Sequence, residues 1–258
     1  YANLKQILTG EEYTPARAGH VNSETQYVLD YFGVEAPELI ENVRTQVKDI
    51  EIRETKGVDK NISLKKAWNL MQDNTVVTIP AVTEDNTLEG LITVGDITRS
   101  YMNVYDSSIL SKACTQYSNI LETLEGALLV GDPEAYFDKG KVLVAAANPD
   151  MMEYYIEKHD LVILGNRYES QLCAIEMNAG CIIIGLGAKV SRTIRKLASE
   201  NQVSIIATPL TTYSCAKVVS QAVPVRHVLR RKGLITFEPD AVVEEVKRAV
   251  SKKATRTY

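Results

Sequence analysis

Residues that build metal sites and disulfides are scarce in this sequence, and those present lie far apart. Its four cysteines form no C-x-x-C pair, which argues against a zinc site or a disulfide framework and predicts reduced thiols in a cytoplasm. Its three histidines are isolated from one another along the chain. We therefore expect no metal-binding cluster within the sequence and assign no catalytic residue.

Long hydrophobic runs are absent as well. The longest apolar stretches, such as residues 181–184, fall far short of a membrane span, and no signal peptide is visible. A net charge of −4 gives no global electrostatic case for binding nucleic acid or an acidic membrane. Because the chain begins at Tyr1 without an initiator methionine, we expect it to be part of a longer protein.

What is present is the composition of an ordinary globular protein, with 258 residues that are 45% hydrophobic and 24% charged. In its central part, short apolar stretches predict strands at residues 127–130, 141–146, 160–164, 181–186 and 203–207. Helical segments alternate with them at residues 106–124, 150–158, 168–178, 189–201 and 211–221. This alternation predicts a mainly parallel sheet covered by helices.

Residues 50–104 form a separate pattern of β-α-β-β-α type. A short strand is predicted at 56–58, and Ser63 is the expected cap of a helix. The apolar residues of that helix are spaced at i, i+3, i+4 and i+7, at Leu64, Ala67, Trp68 and Met71. Two strands, at 76–82 and 88–93, then surround a polar turn.

Half of this pattern recurs at residues 222–258. We predict a strand at 233–236 and a cap at Asp240, followed by Val243, Val246 and Val250 with the spacing of Leu64, Ala67 and Met71. In this register, Thr257 and Tyr258 correspond to Thr78 and Ile79. An internal repeat is a strong sign of domain organisation.

The segment 90–96 (GLITVGD) is the most informative part of the first copy, because it runs from a strand into a helix. A carboxylate at Asp96 suits the hydroxyls of a ribose, Thr93 offers a hydroxyl, and the helix N-terminus offers N–H groups to a phosphate. The alternative is that Thr93 and Asp96 only form a turn and a helix cap. The repeat and the surrounding module favour ligand binding.

The β-α-β-β-α unit with its Gly-hydrophobic-x-Thr-x-x-Asp segment resembles a CBS module. Such modules stack in pairs and bind adenine nucleotides in the cleft between them. The resemblance implies that Thr93 and Asp96 contact phosphate and ribose. It also implies an adenine pocket beside Val58 and the backbone of Thr78 and Ile79, with Thr257 and Tyr258 as their counterparts in the second copy.

The central block, with the segment 165–170 (GNRYES) after a strand, resembles a DRTGG domain, although of the motif itself only Arg167 remains recognisable. A DRTGG domain between two CBS modules is typical of the CBS-regulated family II inorganic pyrophosphatases. The N-terminal segments YANLK, PARAG and ETQYVLDYF resemble the DHH domain of that family. The expected domains are a partial DHH segment (1–49), the first CBS module (50–104), the DRTGG domain (105–221) and half of the second CBS module (222–258).

The resemblance implies the regulatory part of a manganese-dependent enzyme that hydrolyses diphosphate to two phosphates. AMP or ADP in the CBS cleft would inhibit that enzyme, and ATP or a diadenosine polyphosphate would activate it. A homodimer through the CBS and DRTGG regions is also implied. The family's G-H-x-x-P-D-x-D, D-H-N and D-H-H metal segments are absent here. The alternatives are a stand-alone CBS/DRTGG nucleotide sensor and an acyl-phosphate transferase with a regulatory DRTGG domain.

A basic cluster precedes the second copy, at Arg226, Arg230, Arg231 and Lys232. One interpretation is a solvated helix face. The other is that some of these cations meet the phosphates of a nucleotide in the cleft.

Overall fold

The computed structural model describes residues 1–40, 44–51, 55–102 and 106–254. The α-helices of these residues are α1 (Ala2–Thr9), α2 (Ser23–Phe32), α3 (Leu64–Asp73), α4 (Val94–Met102), α5 (Ile109–Lys112), α6 (Tyr117–Leu124), α7 (Pro149–Met152), α8 (Tyr168–Glu176), α9 (Arg192–Glu200), α10 (Thr212–Val218) and α11 (Val243–Ala254). The strands are β1 (Ala16–Arg17), β2 (Glu38–Leu39), β3 (Thr78–Val82), β4 (Leu88–Thr93), β5 (Thr115–Gln116), β6 (Ala127–Val130), β7 (Tyr136–Phe137), β8 (Val142–Val144), β9 (Leu161–Leu164), β10 (Cys181–Ile184) and β11 (Ser204–Ala207). The α/β class expected from the sequence is confirmed.

The residues divide into two compact units, of which the larger comprises 55–234. Its main sheet has the strand order β6-β11-β10-β9-β8, with every neighbouring pair parallel except β6 and β11. All residues of β9 and β10 are buried, as continuous apolar strands covered on both faces require. The prediction of a mainly parallel sheet is confirmed.

Side chains on the two faces of this sheet belong to two hydrophobic clusters. Val162 and Ile182 pack in one cluster with residues of α7, α8 and α9. Ile163 and Ile183 lie in the other cluster, which also contains Leu64, Met71 and other residues of the 55–102 module. The module and the sheet therefore share one continuous core.

The module itself consists of α3, the antiparallel pair β3 and β4, and α4. Ser63 caps α3 as predicted, because its Oγ accepts a hydrogen bond of 3.1 Å from the Lys66 backbone N–H. Leu64, Ala67 and Met71 are buried, whereas Trp68 is 39% exposed. Trp68 is therefore not a core residue of the described chain, contrary to the spacing argument.

Replacing Ser63 with alanine should lower the free energy of unfolding by about 1 kcal/mol, since α3 loses the acceptor for one of its free N–H groups. Urea denaturation measures the change. Ser199→Ala, at an exposed position in α9, is the control and should change stability by less than about 0.5 kcal/mol. Equal midpoints for wild type and Ser63→Ala would contradict the capping role.

The smaller unit comprises residues 1–54 and 235–258. Within it, β1 and β2 form a short parallel pair, and α2 starts from Asn22, whose side chain accepts a hydrogen bond from the Thr25 N–H. The helices α1 and α2 have no buried residue among those described, and apolar side chains such as Ile7 and Tyr31 are exposed.

Each unit contains the same set of three backbone hydrogen bonds, which we call a clasp. In the larger unit, the Leu64 N–H donates to Val223 O, and the N–H groups of Val225 and Arg226 donate to Ile62 O and Lys60 O. In the smaller unit, the corresponding bonds join Val243 to Thr45, Val47 to Ala241 and Lys48 to Pro239. The internal repeat is thus reproduced in the hydrogen-bond pattern. The start of each copy pairs with the residues before the main helix of the other copy.

Three sequence predictions about this repeat are wrong. Among the described residues, the structure has no strand at 233–236, and 56–58 contributes a single bridge, from Val58 to Ala81, rather than a strand. A single bridge does not make a strand, which needs a ladder of backbone hydrogen bonds. Asp240 is not the cap of α11 either, because the helix begins at Val243 and the residue in the place of Ser63 is Val242.

The helix predicted over 106–124 is divided in the structure into α5 and α6. Cys114, between them, has φ 47°, a left-handed conformation that cannot continue a helix. Thr115 and Gln116 then pair with Phe137 and Tyr136 as β5. The prediction of helix was correct on both sides of the interruption.

Candidate functional site

The turn from β4 into α4 brings Thr93 and Asp96 together. Asp96 Oδ2 accepts hydrogen bonds from the backbone N–H of Thr93 (3.1 Å) and from its hydroxyl (2.6 Å). Thr93 Oγ1 in turn accepts from the Asp96 N–H at 3.2 Å. This reciprocal arrangement is a capping box, so the structural role proposed for these residues is real. It leaves the second carboxylate oxygen of Asp96 available for another partner.

That partner is Arg230. Its Nε donates a hydrogen bond of 2.8 Å to Asp96 Oδ1, and the Asp96 side chain is only 4% exposed. Arg99, on the next turn of α4, lies further away, with its guanidinium 3.6 Å from the same oxygen and largely in solvent. Burial alone would raise the pKa of the Asp96 carboxyl, but the hydrogen bonds from Thr93 and Arg230 outweigh it and lower this pKa below its usual value.

Arg230 reaches this position because its backbone pairs with β4. Leu91 and Arg230 exchange both N–H···O bonds, each 3.0 Å long. Gly90 makes the approach possible, since a Cβ there would lie 2.7 Å from Arg230 O and 2.7 Å from Leu229 Cγ. Gly90, the first glycine of the GLITVGD segment, therefore leaves room for the neighbouring chain segment that contains Arg230.

A partly open cavity of about 230 Å³ lies beside Asp96. It is lined by polar and charged side chains together with two apolar ones: Asp96, Arg99, Ser100, Ile109, His227 and Val228. The Asp96 carboxylate, the Arg99 guanidinium and the His227 side chain thus border one space. A sugar hydroxyl and an anionic group have complementary partners here.

The β3–β4 sheet places two of the other predicted site residues, Thr78 and Ile79, beside this turn. Thr78 lies directly opposite Thr93 in the β3–β4 ladder. The N–H of Val58 donates to Pro80 O, so Val58 lies along β3. The side chain of Ile79 is 2% exposed and packs in the core, which leaves only its backbone for a ligand. Thr257 and Tyr258 lie outside the described residues.

Of the basic cluster, two arginines make side-chain hydrogen bonds to other parts of the chain instead of forming a helix face directed only at solvent. Arg226 donates to Asn61 Oδ1 and to the carbonyl oxygens of Ala113 and Cys114, at 2.6 to 3.0 Å. Arg230 holds Asp96. The helix-face interpretation is therefore wrong for these two residues. The contact of Arg230 with Asp96 crosses 134 positions in sequence, and no local pattern predicts it.

The degenerate DRTGG loop has a structural contact. Arg167 donates a hydrogen bond of 3.0 Å to Ala147 O, as expected for a residue that fixes a loop.

Across the described ranges, no group of three or more His, Cys, Asp or Glu side chains is placed to hold a metal ion. In the same residues, no helix combines the length and the apolar character needed to cross a bilayer.

Family models match two parts of the chain. Residues 47–103 match the CBS domain, and residues 119–222 match the DRTGG domain. The Thr93–Asp96 turn lies in the first match, and the five-stranded sheet lies in the second.

Among curated proteins, the chain is 35% identical over its whole length to a cobalt-dependent inorganic pyrophosphatase of Clostridium perfringens, of which it covers 47%. It is 26% identical over 97% of its length to a probable manganese-dependent inorganic pyrophosphatase of Thermotoga maritima, of which it covers 45%. The chain thus spans about half the length of these relatives.

A solved structure is also similar. It contains the CBS and DRTGG domains of the regulatory region of Clostridium perfringens pyrophosphatase, complexed with the activator diadenosine tetraphosphate. The two chains superpose with a TM-score of 0.76 and are 33% identical. The match covers 81% of this chain and 91% of the other.

Proposed function

Since the chain belongs to the family of manganese- and cobalt-dependent inorganic pyrophosphatases, through their CBS and DRTGG regulatory region, we propose that it regulates such an enzyme by binding adenine nucleotides. One observation carries the proposal: a solved regulatory region of this family, similar over 91% of its length, holds diadenosine tetraphosphate as an activator. The whole protein would hydrolyse diphosphate to two phosphates.

The proposed site is the cavity beside the β4–α4 turn. The Asp96 carboxylate would accept hydrogen bonds from ribose hydroxyls, and Thr93 with the first N–H groups of α4 would meet a phosphate. Val58 and the backbone of Thr78 and Ile79, on the neighbouring strand, would border the adenine. Thr257 and Tyr258 are proposed as the equivalent residues of the second copy.

The proposed effect depends on the ligand. AMP or ADP would inhibit, and ATP or a diadenosine polyphosphate would activate. A ligand can do this only if it binds two arrangements of the protein unequally, with a coupling free energy of about 1–3 kcal/mol. The clasp between 45–48 and 239–243 supports such coupling, because it ties the segment that follows residues 1–40 to the second copy.

The metal and the assembly state belong to the same proposal. Manganese would lower the pKa of a water molecule and hold the diphosphate oxygens, using ligands outside this sequence.

Exposed apolar side chains on α1 and α2, such as Leu4, Ile7 and Tyr27, are typical of a surface that packs against a further domain. We also propose a cytoplasmic homodimer that associates through the CBS and DRTGG regions.

Isothermal titration calorimetry tests the nucleotide proposal. Diadenosine tetraphosphate should bind saturably to the chain, and inorganic tetraphosphate at the same concentration should bind far more weakly, because it lacks the ribose and adenine that the site would recognise. AMP and ATP should compete with diadenosine tetraphosphate. Absence of saturable binding for all three adenine compounds would refute the proposal.

The stand-alone nucleotide sensor without catalytic activity is the second candidate. An assay of diphosphate hydrolysis by the protein encoded by the complete gene, with manganese or cobalt, separates the two candidates.

A further inference from the structure

We propose that Arg230 determines selectivity for phosphorylated adenosines at this site. In the structure, Arg230 holds the Asp96 carboxylate. When a nucleotide binds, the ribose hydroxyls take the place of Arg230 on Asp96, and the guanidinium turns to the phosphate. The inference rests on the proposed nucleotide site.

The hydrogen-bonding capacity of Asp96 is the first argument. Oδ2 already accepts two hydrogen bonds from Thr93, and Oδ1 accepts one from Arg230. With a side chain that is only 4% exposed, Asp96 has little surface left for two further donors. A ribose that binds Asp96 must therefore displace Arg230, since Thr93 also holds the start of α4.

The second argument is the contrast between the backbone of Arg230, which is hydrogen-bonded, and its side chain, which is half exposed. Its backbone is fixed to Leu91 by two hydrogen bonds, whereas its side chain is 52% exposed. The guanidinium can thus swing about a fixed point at little cost in burial. A planar guanidinium binds a phosphate through two parallel N–H groups, an arrangement that a single Nε contact to a carboxylate does not use.

The consequence is that Arg230 has opposite effects on the affinity for ligands with and without a phosphate. Adenosine must break the Arg230–Asp96 pair and gives the guanidinium no new anion. AMP breaks the same pair and supplies a phosphate within reach of the same side chain. Arg230 therefore weakens the binding of adenosine and strengthens that of AMP.

Calorimetric titration of AMP and adenosine into wild type, Arg230→Ala, Arg230→Lys and Arg231→Ala tests this inference. Arg231 is the matched control, because it is an exposed arginine one position further along the chain. In Arg230→Ala, the ratio of AMP affinity to adenosine affinity should fall by about tenfold, as expected for a partly exposed ion pair exchanged for a phosphate contact. Adenosine affinity should rise and AMP affinity should fall.

Arg230→Lys should keep part of the preference for AMP, because it retains the positive charge without the planar donor pair. Arg231→Ala should leave the ratio unchanged. An unchanged ratio in Arg230→Ala, or equal losses for both ligands, would overturn the inference and leave Arg230 a structural role. Failure of wild type to bind any adenine compound would instead refute the proposed function.

Discussion

Replacing Asp96 with alanine should lower the affinity for AMP by at least about tenfold, because a charge-assisted hydrogen bond to the ribose is lost. Asp96→Asn should lose a similar amount, since an amide is a poorer acceptor. Calorimetric titration measures both. The control is Asp150→Ala, which removes an exposed carboxylate from the first turn of α7 and should leave the affinity unchanged.

The same substitution provides a measurement independent of ligand. The pKa of Asp96 is lowered in the folded chain, so the unfolded chain takes up the proton first as the pH falls. The contribution of Asp96 to stability is therefore complete well above its ordinary pKa of 3.8 and is lost as the pH falls through the lowered folded-state value. Asp96→Asn should unfold with a weaker pH dependence below pH about 5 than wild type. Identical acid unfolding curves would show that the Arg230 and Thr93 contacts do not stabilise the ionised carboxylate.

Replacing Gly90 with alanine should lower the free energy of unfolding by about 2–4 kcal/mol. The new Cβ would lie 2.7 Å from the carbonyl oxygen of Arg230, and a backbone atom cannot move away without lengthening the two hydrogen bonds to Leu91. The displacement would also withdraw Arg230 from Asp96. Chemical denaturation gives the stability change.

Gly95→Ala is the matched control for this experiment. It adds the same methyl group five positions along the chain, where the nearest heavy atom is Thr93 Oγ1 at 3.6 Å, an ordinary contact. Because Gly95 is within α4, alanine there should be neutral or stabilise the helix by up to about 1 kcal/mol. If both variants were equally stable, the close approach at Gly90 would not be a constraint.

Local patterns predicted the parts of this fold that local physics decides. The buried strands β9 and β10 are continuously apolar because helices cover both faces of the sheet, and Ser63 stands one position before an amphipathic helix. The turn at Thr93 and Asp96 could likewise be found from residue spacing. Each of these signals lies within a few residues in sequence.

The errors arose where distant residues decide the outcome. Residues 233–236 have high β-propensity but form no strand among the described residues, so propensity alone overestimated them. Cys114 interrupts an apolar helical pattern by taking a left-handed conformation that its residue type does not indicate. Arg230 was grouped with other cations as a surface feature, because its position against Asp96 depends on the pairing of its backbone with β4 and on the space left at Gly90.

The two clasps determine whether one copy of the repeat could be separated from the other. The residues that precede α3 are completed by the chain that opens the later copy, and those that precede α11 by the chain that opens the earlier one. A protein fragment that contains only one copy would therefore lose these hydrogen-bond partners for the backbone groups that precede its main helix. Each clasp joins residues that precede the central block (105–221) to residues that follow it, so the two copies pair across a large insertion in the sequence.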